Sequence, residues 1–233
     1  TAFFLFRVKR LPKLLKKTGL TIIIRFFQCL IVFCLSTILI YYSYSYHKID
    51  KPSINISFPL KGGKYFIADG GSSMINSHTT LLEKNAIDIV RLNQLGRIWR
   101  GNQLYPPINI DKYLIYNDTI FSPCKGIIVN FYDKFPDHNA GKKIDFISRK
   151  PNFIEIQYQD SIKIVLLHLA HGSSFVKIGD KITLGVPLAL VGNSGISKTP
   201  HLHIHAFQTN KNEKTAGIHI LFEGENLVTN DIY

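Results

Sequence analysis

Three histidines at alternate positions, His201, His203 and His205, stand in the stretch TPHLHIHAFQ. If this stretch is a β-strand, the three side chains share one face, because side chains alternate across a strand. Imidazoles on one face can converge as metal ligands or as acid–base groups. The same spacing also fits polar residues on a solvated strand face. The chemistry therefore depends on which other residues accompany them.

Further candidate ligands lie elsewhere in the chain. Zinc takes tetrahedral nitrogen, oxygen and sulfur ligands, and a catalytic zinc site uses three protein ligands while water takes the fourth position. Asp88 is an acid near a histidine in a Gly/Ser-flanked setting. The other histidines to consider are His78, His138, His168, His171 and His219. Histidine and aspartate thus supply the donor atoms that such a site needs.

Two longer stretches make the pattern more specific. LLHLAHGSSFVKIGDKITLG places a histidine before a small loop and then V-x-x-G-D-x-I-x-x-G. VGNSGISKTPHLHI combines a G-N-S-G turn with P-H-L-H. Together they resemble the M23 family of zinc peptidases, the LytM or lysostaphin type, and the resemblance runs from roughly Phe58 to Gln208.

The resemblance implies a role for five residues. His78, Asp88 and His203 take the positions of the zinc ligands, and His201 and His168 those of the catalytic histidines. Nine residues separate His78 from Asp88, more than the family's common H-x-x-x-D spacing, but similar to its longer-looped, membrane-linked members.

Other roles stay open for some of these residues. His168 also fits a hydrogen-bonded core histidine, and Asp88 a turn or capping residue. The histidines His138, His171 and His219 match no motif position and are predicted to be surface residues, whereas Trp99 is predicted to pack in an aromatic insertion. The family motif requires no particular residue at the position of His205. We expect this side chain to line the groove or to hydrogen-bond a ligand.

The resemblance implies a zinc-dependent endopeptidase that hydrolyses stem or cross-bridge peptides of bacterial cell-wall peptidoglycan. One of His201 and His168 would take a proton from water and deliver it to the leaving amine, and the other would stabilise the oxyanion. His201 is favoured as the base because it stands two residues from His203. Two alternatives stay open: a catalytically silent regulator of another wall hydrolase, and a zinc peptidase acting on a non-wall peptide.

An apolar run near the N-terminus predicts a transmembrane helix over 22–46. The uninterrupted part, Phe26 to Tyr42, spans about 26 Å, and Arg25 can snorkel toward the headgroups. A cleaved signal peptide is the alternative, but the run is long for one and no small-x-small cleavage pattern follows it. Tyrosines after the run fit an interfacial aromatic belt.

Charge is unevenly distributed along the chain. The net charge is +12, and residues 1–51 carry nine Lys/Arg against one acidic residue. The basic segment 1–21 therefore predicts a cytoplasmic N-terminus and a domain outside the cytoplasmic (inner) membrane, in the periplasm or outside the cell. The excess of basic residues is explained by the predicted membrane orientation, and no motif of interleaved basic and aromatic residues accompanies it. We therefore do not expect a nucleic-acid partner. The sequence leaves the oligomeric state open.

The rest of the chain predicts an all-β domain with predominantly antiparallel strands. From Thr119 onward, alternating β-branched and aromatic runs are broken by Gly and Asp, and a hairpin turn is predicted at Gln159–Ser161. The predicted layout is a linker over 47–58, a peptidase domain over 59–210 with an insertion at about 93–118, and a tail over 211–233. A short helix is expected around Ile108–Tyr116. Cys124 is the one cysteine outside the span, which excludes an internal disulfide there.

Overall fold

A computed structural model describes residues 19–46, 48–49, 51–71, 78, 80–142, 150–210 and 214–233. The chain divides into two compact units, one ending at Tyr44 and the other beginning at Ser45. The basic positions predicted to precede the span lie at residues 1–17, outside the described residues.

Helix α1, Gly19–Tyr46, lies in the first unit except for its last two residues. Its segment Thr21–Tyr41 has a mean hydropathy of 2.3 and is long and apolar enough to cross a membrane, although a signal sequence meets the same criteria. The hydroxyl groups of Ser36 and Thr37 donate to the carbonyls of Val32 and Cys34 within the helix, so these polar groups need no partner outside it.

The described residues of the second unit form eleven strands and one short 3₁₀ helix. The strands are β1 Ser53–Ile56, β2 Lys64–Asp69, β3 Ile87–Leu92, β4 Thr119–Phe121, β5 Gly126–Tyr132, β6 Phe153–Gln159, β7 Ile162–Leu167, β8 Lys181–Ile182, β9 Pro187–Leu190, β10 Leu202–Thr209 and β11 Thr215–Phe222. The 3₁₀ helix is Ile110–Lys112. The predicted β-rich fold with one N-terminal apolar helix is confirmed.

The strands form one large sheet and a small pair. In the large sheet the order is β1-β11-β10-β7-β6-β5-β8, and β3 pairs with both β10 and β2, while β4 and β9 form the small pair. Their pairings are antiparallel except for β1 with β11, which is parallel. The β6–β7 hairpin turns between Gln159 and Ile162 as predicted.

Strand β10 has one face in the apolar core and one face that carries candidate site histidines. Leu202, Ile204 and Ala206 are at most 1% exposed and belong to the main apolar core. Burying a leucine or isoleucine side chain contributes about 1.5–3 kcal/mol. The alternate residues His203 and His205 therefore point to the opposite face, where they are also buried.

Two strands lie in the segments that were predicted as the linker and the tail. Residues 53–56 of the predicted linker form β1, and residues 215–222 of the predicted tail form β11. These two strands pair with each other, Ile54 opposite Ile220, and both residues are buried in the core. Neither strand is recognisable from the sequence until the other is placed beside it.

The insertion contains less helix than expected. Only Ile110–Lys112 is helical, and the Asn109 side chain caps it by accepting a hydrogen bond from the Asp111 N–H. Ile110 and Tyr113 form a small apolar cluster with Ala140. The segment is therefore held by local packing rather than by a longer helix.

Candidate metal centre

Strands β3 and β10 bring the first two candidate ligands together. Asp88 and His203 are directly opposed in this antiparallel pair, and the Asp88 Oδ1 lies 2.9 Å from Nδ1 of His203. Directly opposed side chains stand on the same face of a sheet. The contact between residues 115 positions apart thus follows from strand register.

His78 completes a group of three. Its Nε2 lies 3.4 Å from Oδ1 of Asp88, and its ring centroid lies 4.9 Å from that of His203. The ligand atoms of His78, Asp88 and His203 all lie within 4.8 Å of one another. Two imidazole nitrogens and one carboxylate oxygen form a donor set that zinc accepts in catalytic sites, so these residues fit the ion.

Asp88 is the electrostatic centre of the group. Burial disfavours its charge, but the positive charge of His201 and hydrogen bonds from His203 and His78 hold the pKa of Asp88 well below its usual value. Burial likewise opposes protonation of His78, yet the hydrogen bond and charge of Asp88 outweigh it and raise the pKa of His78. A carboxylate kept ionised in this way is ready to bind a cation.

His168 follows the last residue of β7 and is buried. Its backbone has φ of +62°, an uncommon conformation for a non-glycine residue that often occurs at functional sites. Its Nδ1 lies 2.8 Å from the Ser194 carbonyl oxygen, which can only accept, so Nδ1 carries the proton. Burial, together with the charges of His201 and His203, holds the pKa of His168 well below its usual value.

His201 is held in a similar way. Its Nδ1 lies 2.8 Å from the Thr199 carbonyl oxygen, and its Nε2 lies 3.7 Å from Oδ1 of Asp88. The ring centroids of His168 and His201 are 4.6 Å apart. Backbone carbonyls thus fix the Nδ1–H tautomer of both rings, which leaves both Nε2 atoms free of that proton.

The turn that supplies the Ser194 carbonyl is firmly supported. The Ser194 hydroxyl donates to the Leu169 carbonyl and accepts from the Asn152 N–H. Gly195 follows with φ of +76°, and a Cβ there would meet backbone atoms of Pro151 at 2.7 Å. Only glycine fits this position without displacement of the turn.

Part of the chain is similar to a known protein family. Residues 110–215 match the sequence model of peptidase family M23. This part of the chain is similar to peptidase family M23. The matched M23 segment contains His168, His201 and His203, whereas His78 and Asp88 precede it. Curated protein sequences give no significant match.

Several solved structures are similar to the chain. One is a zinc-containing peptidase from Vibrio cholerae (15% identity, 74% of this chain and 38% of the other, TM-score 0.35). Another is lysostaphin (15% identity, 69% of this chain and 46% of the other, TM-score 0.37). A third is the SpoIIQ–SpoIIIAH pore-forming complex (12% identity, 70% of this chain and 87% of the other, TM-score 0.42). The chain spans less than half the length of the first two proteins.

Two histidines that were predicted to be surface residues, His138 and His219, are buried. The His138 Nε2 lies 2.8 Å from the Gly195 carbonyl oxygen. Its ring therefore stabilises the Ser194–Gly195 turn that contacts His168. The His219 Nε2 lies 2.6 Å from Oδ1 of Asn226. His171, by contrast, is exposed as predicted.

A groove adjoins the candidate metal centre. It has a volume of about 790 Å³ and is lined by Pro106, Pro107, Ile108, Tyr113, Asn139, Ala140, Gly141, Lys142, Ser197, Lys198 and Thr199. Ser197 and Thr199 also contact the His201 ring. The insertion therefore supplies one wall of a groove that reaches a candidate catalytic histidine, a feature that the motif does not reveal.

Proposed function

We propose that the chain is a zinc-dependent endopeptidase. The observation that carries this proposal is the convergence of His78, Asp88 and His203 on one point, with His168 and His201 beside them. These are the five positions at which the sequence resembles the M23 peptidases. Because His78 and Asp88 come from outside the matched segment, their convergence is independent support for the ligand assignment.

Zinc held by His78, Asp88 and His203 would supply a nucleophilic water at neutral pH and would polarise the scissile carbonyl. The protein's contribution is to keep Asp88 ionised and to hold the donor atoms in one place. Its buried, hydrogen-bonded imidazoles have few alternative orientations.

The two remaining histidines divide the proton-transfer roles. Each neutral ring has its proton on Nδ1, so an N–H directed from Nε2 requires a protonated ring. Burial disfavours a charged His168, so this ring is the less suited of the two to donate an N–H from Nε2. We therefore assign His168 as the proton acceptor and His201 as the N–H donor to the oxyanion, the reverse of the order favoured by spacing alone.

We propose peptidoglycan stem or cross-bridge peptides as the substrate. The match to the M23 family model and the groove beside His201 support a peptide ligand, since the groove combines apolar side chains with hydrogen-bonding groups, as binding sites do. Helix α1 would anchor the chain in the cytoplasmic membrane, with the N-terminus inside and the domain outside. Six residues separate α1 from β1, so such an enzyme would act on wall material close to the membrane.

The test uses the full chain in detergent and purified peptidoglycan. Newly released amino groups are measured for the parent, for His168→Ala and His201→Ala, and for His171→Ala as an exposed-histidine control. We expect the first two substitutions to abolish release and the control to retain it. A parent that binds zinc but releases nothing would favour the regulator, and cleavage of free peptides alone would favour a non-wall peptidase.

A further inference from the structure

One buried histidine has no role in the site described so far. His205 stands two residues after His203 on β10 and is 6% exposed. Its Nδ1 lies 3.1 Å from Nε2 of His203, and the two ring centroids are 5.2 Å apart. The contact therefore involves the nitrogen of His203 that faces away from Asp88.

The function of this contact depends on which nitrogen of His203 carries the proton. The nitrogen of His203 that faces Asp88 is Nδ1, so binding a metal there requires a bare Nδ1 and a proton on Nε2. That Nε2–H then needs an acceptor, and Nδ1 of His205 is at hydrogen-bond distance. We propose that His205 is a positioning residue that holds the ligand His203 in its metal-binding tautomer; this rests on the proposed ligand role of His203.

The opposite tautomer is the competing state. With its proton on Nδ1, His203 donates to Asp88 at 2.9 Å and presents no lone pair to a metal. His205 fits both states because a neutral imidazole offers one donor and one acceptor nitrogen. An apolar side chain at this position would leave the buried Nε2–H of the metal-binding state without its acceptor, and a buried N–H without a partner is costly.

A second metal site that includes a nearby carboxylate is the competing explanation for the contact between His203 and His205. Ligand-type atoms of Glu83, His203 and His205 also lie within 4.8 Å of one another. If these residues held a separate cation, His203 would have to bridge two metals through both nitrogens. Stoichiometry separates the two cases, because a positioning role predicts one zinc per chain and a second site predicts two.

The experiment measures zinc affinity of the full chain in detergent by competition with a chromophoric chelator. His205→Leu removes the acceptor, and we expect affinity to fall about 10–100-fold, the usual effect of losing a partner of a ligand histidine. His205→Asn places an oxygen near the former Nδ1, and we expect it to restore most of that affinity. His219→Leu removes another buried histidine of the same sheet and serves as the matched control, with unchanged affinity.

Three results would overturn the proposal: parent-like affinity in His205→Leu, the same loss in His205→Asn as in His205→Leu, or two zinc ions per chain with one lost in Glu83→Gln. Near-ultraviolet circular dichroism of the metal-free proteins checks folding, and the asparagine variant keeps the test decisive if the leucine variant unfolds. Full zinc binding by His203→Ala would instead refute the ligand assignment of the proposed function.

Discussion

The turn that positions His168 can be tested with one methyl group. Gly195 has φ of +76°, and an added Cβ would meet backbone atoms of Pro151 at 2.7 Å. Gly96 has φ of +72°, and an added Cβ would meet nothing within 4 Å. Alanine at either position is strained by nearly the same left-handed backbone, but only Gly195→Ala adds a clash. Gly96→Ala is therefore its matched control.

The expected energies follow from these two contributions. An L-residue in the left-handed conformation costs about 1–2 kcal/mol, so Gly96→Ala should lower the free energy of unfolding by that amount. Gly195→Ala adds overpacking against backbone, about 1–3 kcal/mol more. With a urea dependence of about 2 kcal/mol per molar, the added cost lowers the unfolding midpoint by roughly 1 M relative to the control.

Urea unfolding of both variants in the same detergent measures this difference, and peptide hydrolysis gives a second result. Displacing the Ser194 carbonyl would release Nδ1 of His168, so we expect Gly195→Ala to lose activity while Gly96→Ala keeps it. Zinc content should stay unchanged in both, because the proposed ligands do not lie on this turn. Equal unfolding midpoints for the two variants would refute the reasoning.

Three further predictions concern other parts of the domain. Burial raises the pKa of the Cys124 thiol to about 12, so with the helix cysteines replaced by serine, iodoacetamide should label the protein at pH 8 only after unfolding. Arg91→Met removes the partner 2.9 Å from Asp118 and should cost about 1–3 kcal/mol of unfolding free energy, with a smaller loss in an Asp118→Asn background. Burial, with neighbouring imidazole charges, lowers the pKa of His205 to about 3, so the unfolded chain binds more protons between that value and about 6.5. The stability of the metal-free protein should therefore fall as the pH drops from 6.5 to 5, by up to about 2 kcal/mol from this residue, and His205→Asn should reduce that fall in pH-dependent urea unfolding.

The strands from Thr119 onward were predictable because their apolar residues alternate and turn residues bound them. Strands β1 and β11 were not, because each is a short run whose stability comes from pairing with a segment over 160 residues away. Local patterns carry no information about such pairing. For the same reason, the local pattern of the insertion predicted a longer helix than the structure has.

The site likewise contains residues that the sequence motifs identified and residues whose position depends on contacts distant in sequence. Motifs identified His168, His201 and His203, but the approach of Asp88 depends on the β3–β10 register, which spacing along the chain does not contain. The burial of His138 was missed because its partner, the Gly195 carbonyl, is 57 residues away. Alternation along β10 did indicate that His205 shares a face with His203, and only the three-dimensional structure added their contact.

The central claim, a metal centre built from His78, Asp88 and His203, is tested most directly by the zinc content of purified full-length variants. Zinc per chain is measured by atomic emission for the parent, His203→Ala and His201→Ala after dialysis against the same trace zinc. We predict about one zinc in the parent, almost none in His203→Ala and about one in His201→Ala. Parent-like zinc in His203→Ala and in His78→Ala would contradict the account.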